Sequence, residues 1–296
     1  MFHKLMVVVL ALCVFAFGAT AARAEAIKLA VTDLVGLEEL QREFGAFKAE
    51  LEKATGSKIE FLPVTNRTAA LEALRFKKVD FVLTGPAEYV VMKKRANADV
   101  VVGLLRPNYF SMIVVMADSP YFSLKELKGK KIGMGSVGST SRHLGPMHVL
   151  AEAGVDPLKD VQVIHTNVRL AWESLKKGDV AAAGIGRSDY EGLLAKEAET
   201  KGGLPPSAFR VLARSPDLPN DLLIAGEHVD PAVVETMRKA FSEHSDALVA
   251  AILVGEQNKK YAGMRFLTQI GDKDYDVVRV MFKTAGYPEY SEFIGD

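Results

Sequence analysis

Lys131-Ile-Gly-Met-Gly-Ser-Val-Gly-Ser-Thr-Ser141 reads as a short strand running into a glycine- and serine-rich turn that opens a helix. Glycines let the chain turn tightly and let an anion approach its backbone. Successive amides at a helix start, with the hydroxyls of Ser139, Thr140 and Ser141 beside them, make an uncharged cradle for a tetrahedral oxyanion. The same three residues would serve equally as N-caps of the following helix. Pro146 sits either in the first turn of that helix or at a kink within it. Gly133-Met-Gly135-Ser-Val-Gly138 also satisfies the dinucleotide pattern G-x-G-x-x-G. The next strand, however, ends at His165-Thr166, with Asp160 at its opposite end, so the acid that would hold a ribose is missing. No lysine follows in P-loop spacing. Nicotinamide, flavin and ATP binding are therefore disfavoured, and no cofactor is expected.

Working outward, short β-rich runs alternate with amphipathic segments, the pattern of an α/β protein with mainly parallel sheets. Expected strands are 27–32, 58–63, 80–83 and 100–105, with helices over 37–55 and 68–76. The first helix carries apolar residues at 37, 40, 44, 47 and 51 and ends at Gly56. A second series runs from strand 111–116 through a short helix at 124–127, strand 131–134, a helix to Ala153, strand 161–165, a helix at Trp172, strand 180–185 and a helix from Ser188. The breaker-rich 201–206 closes it. Strands 210–213 and 222–225 and one long helix after Pro231 follow, too few strands for a third sheet. Two lobes result, residues 25–112 with 217–296 and residues 113–216, each a sheet flanked by helices. The crossings between them are expected near 111–116 and 214–221. Ligands of open α/β sheets bind beyond the carboxyl ends of strands, and two such lobes can turn those ends toward one cleft.

The chain has 296 residues, 49% hydrophobic and 25% charged, ample for such cores. Basic and acidic residues number 37 each, so no polybasic grip on nucleic acid is expected. His3 and Lys4, the apolar run 5–17 and Ala22-Arg-Ala24 form the pattern of a cleaved secretory leader over residues 1–24, leaving Glu25 first. Without that leader, 272 residues remain, with 35 bases against 37 acids. The one cysteine, Cys13, lies inside the leader. The exported part therefore has no disulfide, thiolate metal site or cysteine nucleophile, which suits an oxidising compartment. His143, His148 and His165 lack the spacing of a helical metal pair, and no metal is expected. Trp172 reads as core, and Lys93-Lys-Arg95 as a solvated helix end.

Gly138-Ser-Thr-Ser141 with Leu144 and Pro146 resembles the ligand loop of periplasmic solute-binding proteins of phosphonate, phosphite and phosphate ABC importers. Leu51-Glu-Lys-Ala-Thr-Gly56, Val79-Asp-Phe81 with Gly85-Pro86 and Tyr89, Leu124 to Gly129, Gly178-Asp-Val180 and Ser215-Pro216 extend the resemblance, in order, over nearly the whole exported chain. It implies a hinged, type II-like binding protein. Ser139, Thr140 and Ser141 hold the oxyanion, and the first lobe adds an aromatic hydroxyl, best matched by Tyr89, with Thr84 a further candidate beside it. Position alone would equally make Tyr89 a half-buried helix residue.

Relatives that take aminoalkylphosphonates carry acids after two strands of the second lobe. The matching places here hold Val168-Arg169 and Gly186-Arg187. Arginines there repel an ammonium and favour a plain or doubly anionic ligand, unless they point to solvent or pair with Asp189 and Glu191. The chain is thus expected to be a periplasmic, monomeric, non-enzymatic receptor for a small oxyanion. Its partners would be a permease and a separate ATPase. A ligand-sensing partner of a membrane receptor kinase, or an exported phosphoryl hydrolase or transferase, are the alternatives.

Overall fold

The computed structural model describes residues 26–32, 34–290 and 292–293, and the leader expected over residues 1–24 lies outside them. The chain begins with β1 (Ile27–Val31), α1 (Leu37–Thr55), β2 (Ile59–Phe61), α2 (Arg67–Arg75), β3 (Phe81–Thr84), α3 (Pro86–Ala96) and β4 (Asp99–Leu105). It continues with β5 (Ser111–Met116), β6 (Lys131–Met134), α4 (Gly145–Glu152), β7 (Gln162–His165), α5 (Val168–Lys177), β8 (Ala182–Gly186), α6 (Arg187–Glu199) and β9 (Phe209–Arg214). It ends with β10 (Asp221–Ala225), α7 (Pro231–Glu243), α8 (Ser245–Ile252), β11 (Arg265–Leu267) and α9 (Asp276–Thr284). Among the described residues these strands form two sheets, ordered β11-β4-β10-β3-β1-β2 and β7-β6-β8-β5-β9.

The first helix shows how local sequence sets these bounds. Leu40, Phe44, Phe47 and Leu51 are buried along one face of α1, Glu38 and Glu39 sit in its first turn, and Gly56 caps its end in the left-handed region at φ 67°. Phe47 packs edge-on against Phe44, 6.1 Å between centroids, and against Phe241 of α7 at 6.2 Å. Leu37, which opens the apolar stripe, stays half exposed. The single helix expected after Pro231 is two, because the backbone leaves helical geometry at His244. Trp172 is core as expected: it stacks on Phe209 at 4.1 Å and donates to Glu197 Oε1 at 3.0 Å.

Both sheets are mixed rather than mainly parallel. β2, β1 and β3 run parallel, as do β7, β6 and β8, while β10 and β5 run against their neighbours. The reason is where the chain enters. Residues 111–116, expected at a crossing, are β5 inside the second sheet, and the chain passes between sheets over 106–110 and 215–220. Each entering strand starts beside the carboxyl end of a parallel neighbour, Ser111 opposite Gly186 and Leu222 opposite Thr84. The carboxyl ends of both parallel sets therefore lie at the crossings. There the two segments are laced together by Ser111 N–H to Ser215 Oγ (3.0 Å), Ser215 N–H to Ser111 O (2.9 Å) and Leu218 N–H to Tyr109 O (2.7 Å).

Truncating Phe47 to alanine removes a fully buried ring, and urea denaturation should show a loss of about 3–5 kcal/mol. A change below about 1 kcal/mol would contradict this packing.

Candidate functional site

The turn after β6 is built around Pro146. Proline has no N–H to give the carbonyls four and five residues back, those of Arg142 and Ser141. Both find other donors: Gly135 N–H reaches Arg142 O at 3.0 Å, and Ser111 Oγ–H reaches Ser141 O at 2.9 Å. The backbone opens accordingly into one turn of π-helix over Thr140–Leu144, with Leu144 N–H on Ser139 O and Gly145 N–H on Thr140 O, before α4 begins. Pro146 thus lies in the first turn of α4. Gly138 reverses the chain at φ 84°, a conformation a side chain would strain.

Two imidazoles clamp this turn. His143 Nδ1 accepts from Gly138 N–H at 2.9 Å, so His143 is neutral, and His165 donates from Nδ1 to Gly135 O at 3.0 Å. Their rings meet edge to face at 4.5 Å. Burial, reinforced by the neighbouring His165, pushes the His143 pKa down to about 3. His143 is therefore a loop-holding acceptor, not a base for the nearby serines. The amides of Gly135, Gly138 and Ser139 are taken up internally. The part that faces open space is the helix start at Thr140–Arg142, whose first-turn amides have no acceptor within the helix.

That space is a cavity of about 150 Å³ between the carboxyl ends of the two sheets. Ser139, Thr140 and Ser141 line it from the second sheet, Gly85 and Pro86 at the start of α3 from the first, and Arg106 and Tyr109 from a crossing segment. Thr140 Oγ1 accepts from Ala87 N–H at 3.2 Å, capping α3 from the opposite sheet. This uses a lone pair and leaves the hydroxyl hydrogen to donate. Four basic residues, Arg67, Arg106, Arg142 and Lys260, share the walls with three acids, Glu88, Asp189 and Asp221. Each acid has an arginine: Arg67 on Glu88 at 3.1 Å, Arg106 on Asp221 at 3.2 Å, and Arg142 on both oxygens of Asp189 at 2.8 and 2.9 Å. Glu88 and Asp189 are the third residues of α3 and α6. Each carboxylate folds back toward its starting glycine, where a Cβ would meet Glu88 Oε2 at 2.6 Å or Asp189 Oδ2 at 3.1 Å.

The other sequence candidates lie elsewhere. Tyr89 is fully buried, donates its hydroxyl to Asp272 Oδ1 at 2.8 Å and meets Tyr275 edge-on at 4.7 Å, so it faces α9 and not the cavity. Burial first, then Asp272, push its pKa up. The aromatic hydroxyl at the cavity is that of Tyr109, which has Arg106 over its ring at 4.0 Å. Thr84 is bonded to Thr32 Oγ1 at 3.0 Å and lines a neighbouring cavity. Arg169 is exposed in the first turn of α5 and away from the cavity. Arg187 pairs with Glu191 at 2.6 Å and lines an adjoining cavity that shares Arg106, Tyr109 and Lys260 with this one. Nor does the stretch after β8 lack an acid at the cavity, because the α6 start turns Asp189 into it. Sequence reading missed Arg67, Arg106, Tyr109, Arg142, Asp189 and Lys260. The one local signal was the acid at the third position of a helix opened by glycine, in Glu88 and Asp189.

Two helix-flanked sheets meeting over an anion-sized, hydroxyl-lined cavity are the architecture of periplasmic solute-binding proteins. PhnD1 of Prochlorococcus marinus in complex with methylphosphonate shares the fold with a TM-score of 0.64 at 19% identity, over 88% of this chain and 98% of that one. The chain belongs to the family of periplasmic substrate-binding proteins of phosphonate ABC transporters, which residues 37–265 match. Similar relatives are the phosphate-import protein PhnD of Mycolicibacterium smegmatis, 25% identical over 75% of this chain and 73% of that protein, and the phosphonates-binding periplasmic protein of Escherichia coli, 24% identical over 68% and 60%. These relatives are binding components of transporters, not enzymes.

Two tests address these assignments. His143 binds its proton far more weakly folded, near pKa 3, than unfolded, near 6.5. Its contribution to stability is thus fully present above about pH 6.5 and lost as pH falls toward 3. Through that window the wild type should lose up to about 1.4 kcal/mol per pH unit more than His143→Asn in chemical denaturation. Equal slopes would remove the clamp. Tyr89→Phe should cost about 1 kcal/mol of stability and leave any oxyanion-induced rise in melting temperature intact.

Proposed function

We propose that this protein captures a phosphate-, phosphite- or phosphonate-type oxyanion between two lobes, residues 25–112 with 217–296 and residues 113–216. It then passes the anion unchanged to a membrane permease driven by a separate ATPase. It acts as a monomer in the periplasm, freed of its leader. The observation that carries this reading is the cavity of about 150 Å³ walled by Ser139, Thr140 and Ser141 with four basic side chains. Hydroxyl donors and helix-start amides hold a tetrahedral oxyanion without requiring a dedicated charge, and closure strengthens those bonds by removing water. Tyr109 is the aromatic hydroxyl of this site.

An anion without an ammonium is the better fit. The three acids on the walls are each countered by an arginine, and the basic residues exceed them by one. A ligand amine would have to take Asp189 from a two-pronged guanidinium bond. Transfer by the relative named for phosphate import supports the same class.

Titration calorimetry with phosphate, phosphite and methylphosphonate should give saturable binding. Ser139→Ala should weaken it about tenfold to a hundredfold, the worth of one hydrogen bond to a charged group. Thr140→Ala should do the same, with a small further loss of stability because Ala87 loses its acceptor. Undiminished affinity in both variants would refute the assignment.

A further inference from the structure

At the end of the first sheet farthest from the oxyanion cavity, α2 and α3 finish and β10 runs out into Glu227 and His228. Since β10 is antiparallel to β3 and β4, all three segments meet at the amino ends of those strands. Between them lies a cavity of about 310 Å³, walled by Arg75, Lys77, Lys94 and Arg95 with one acid, Glu227. That is an uneven share in a chain with 37 bases and 37 acids. Glu227 accepts from Asn97 Nδ2 at 3.0 Å, and Arg75 is answered by Glu72 at 2.7 Å. Lys77, its neighbour Lys78 and Lys94 form no ion pair among the described residues, and Lys94 has the ring of Tyr290 at 5.7 Å. Bases in the last turns of α2 and α3 suit the helix dipoles, which accounts for Arg75, Lys94 and Arg95. Two residues between them have no such reason. Phe76, just past α2, is 65% exposed, an aromatic ring left in water. Lys77 stands at φ 57°, a left-handed conformation that glycine adopts without strain.

We infer that this surface of the first lobe docks on an anionic membrane, with Phe76 in the headgroup layer and Lys77, Lys78, Lys94 and Arg95 against lipid phosphates. An exposed aromatic ring set among lysines is the composition of an interfacial anchor. The ring leaves water, and the ammonium groups reach phosphates on flexible apolar stems. The charge of the walls is complementary to such a surface, and each base near it adds to the attraction. Attachment is peripheral, because among the described residues no helix is long and apolar enough to cross a bilayer. The surface lies at the opposite end of its sheet from the oxyanion cavity, so docking leaves that cavity free. The inference therefore stands apart from the identity of any solute. Its effect is to hold the protein near a membrane without occupying the cleft.

The test is co-sedimentation of the chain from Glu25 onward, which holds every element described, with lipid vesicles. Residues 1–24 are left off because their apolar run would itself enter a bilayer. Vesicles of phosphatidylcholine with about one third phosphatidylglycerol should retain the protein at low salt and release it at about 0.5 M salt, and phosphatidylcholine alone should not retain it. Replacing Lys77 and Lys94 together by glutamate should weaken binding by at least about twentyfold, about fivefold for each charge removed. Phe76→Ser, which keeps every charge, should weaken it severalfold. Lys77→Gly should keep or raise the melting temperature, since glycine accepts φ 57°, and still bind about fivefold more weakly. That variant carries the test if the double variant does not fold. Equal retention by neutral and anionic vesicles, no retention by either, or binding indifferent to Phe76 or Lys77 overturns the inference. The oxyanion reading is checked separately, because these variants should keep any oxyanion-induced rise in melting temperature.

Discussion

A chain that leaves one sheet for another must enter the second at the edge facing the first. β5 and β10 both obey this, each starting beside the carboxyl end of a parallel neighbour and running down against it. The rest of the site follows from that constraint. Ser111, at the start of β5, lands where its hydroxyl reaches Ser141 O, joining the crossing to the anion loop. Asp221, at the start of β10, lands in the cavity wall, and Arg106 and Tyr109 come with the connecting segment. Any motion of one sheet against the other must run through the same 106–110 and 215–220 that line or adjoin the cavity. Under the proposed function, binding and closure are coupled through these shared residues.

The electrostatics of the cavity are nearly balanced by design of its walls. A half-buried carboxylate is tolerable when a guanidinium meets it, and each of the three acids has one. Glu88 and Asp189 also lie at the positive ends of α3 and α6, where a negative charge is stabilised. The consequence is selective. Much of the positive potential in the walls is already answered, so under the proposed function an entering anion gains from the small excess and from the hydroxyls and helix-start amides of the wall. A site of this kind favours ligands that fit the donors geometrically over ligands that merely carry more charge.

How much of this the sequence shows depends on whether the cause is local. The span of α1 is legible because its stripe and Gly56 obey one period and one cap. The strand, turn and helix around Ser139 are legible for the same reason. The mixed strand directions are not, because they arise from the crossings and leave no mark on β5 or β10 themselves. The arginines are missed on the same ground: Arg67, Arg106 and Arg142 sit in separate helix starts and a connector, and only the assembled sheet ends bring them together. Tyr89 shows the opposite failure. One turn into a helix beyond a cleft-facing strand, it has the correct depth but the wrong azimuth. The partner that turns it away, Asp272, lies 183 residues further on. α9 and β11, which build that side, were not anticipated at all.

The anion loop, by contrast, holds its shape by means written almost wholly within it. Pro146 withholds a donor from Ser141 and Arg142, and the two carbonyls are met by Ser111 and by Gly135 at the front of the same loop. His143, two residues past Ser141, closes the circuit by accepting from Gly138. An imidazolium could not make that bond, so the burial that keeps His143 neutral is a condition for the turn rather than a by-product of it. Two of these three contacts form within ten residues of chain, and the third is anchored on the strand that enters from the crossing. The cradle is therefore set before a ligand arrives. Under the proposed function, less conformational freedom then remains to be lost on binding.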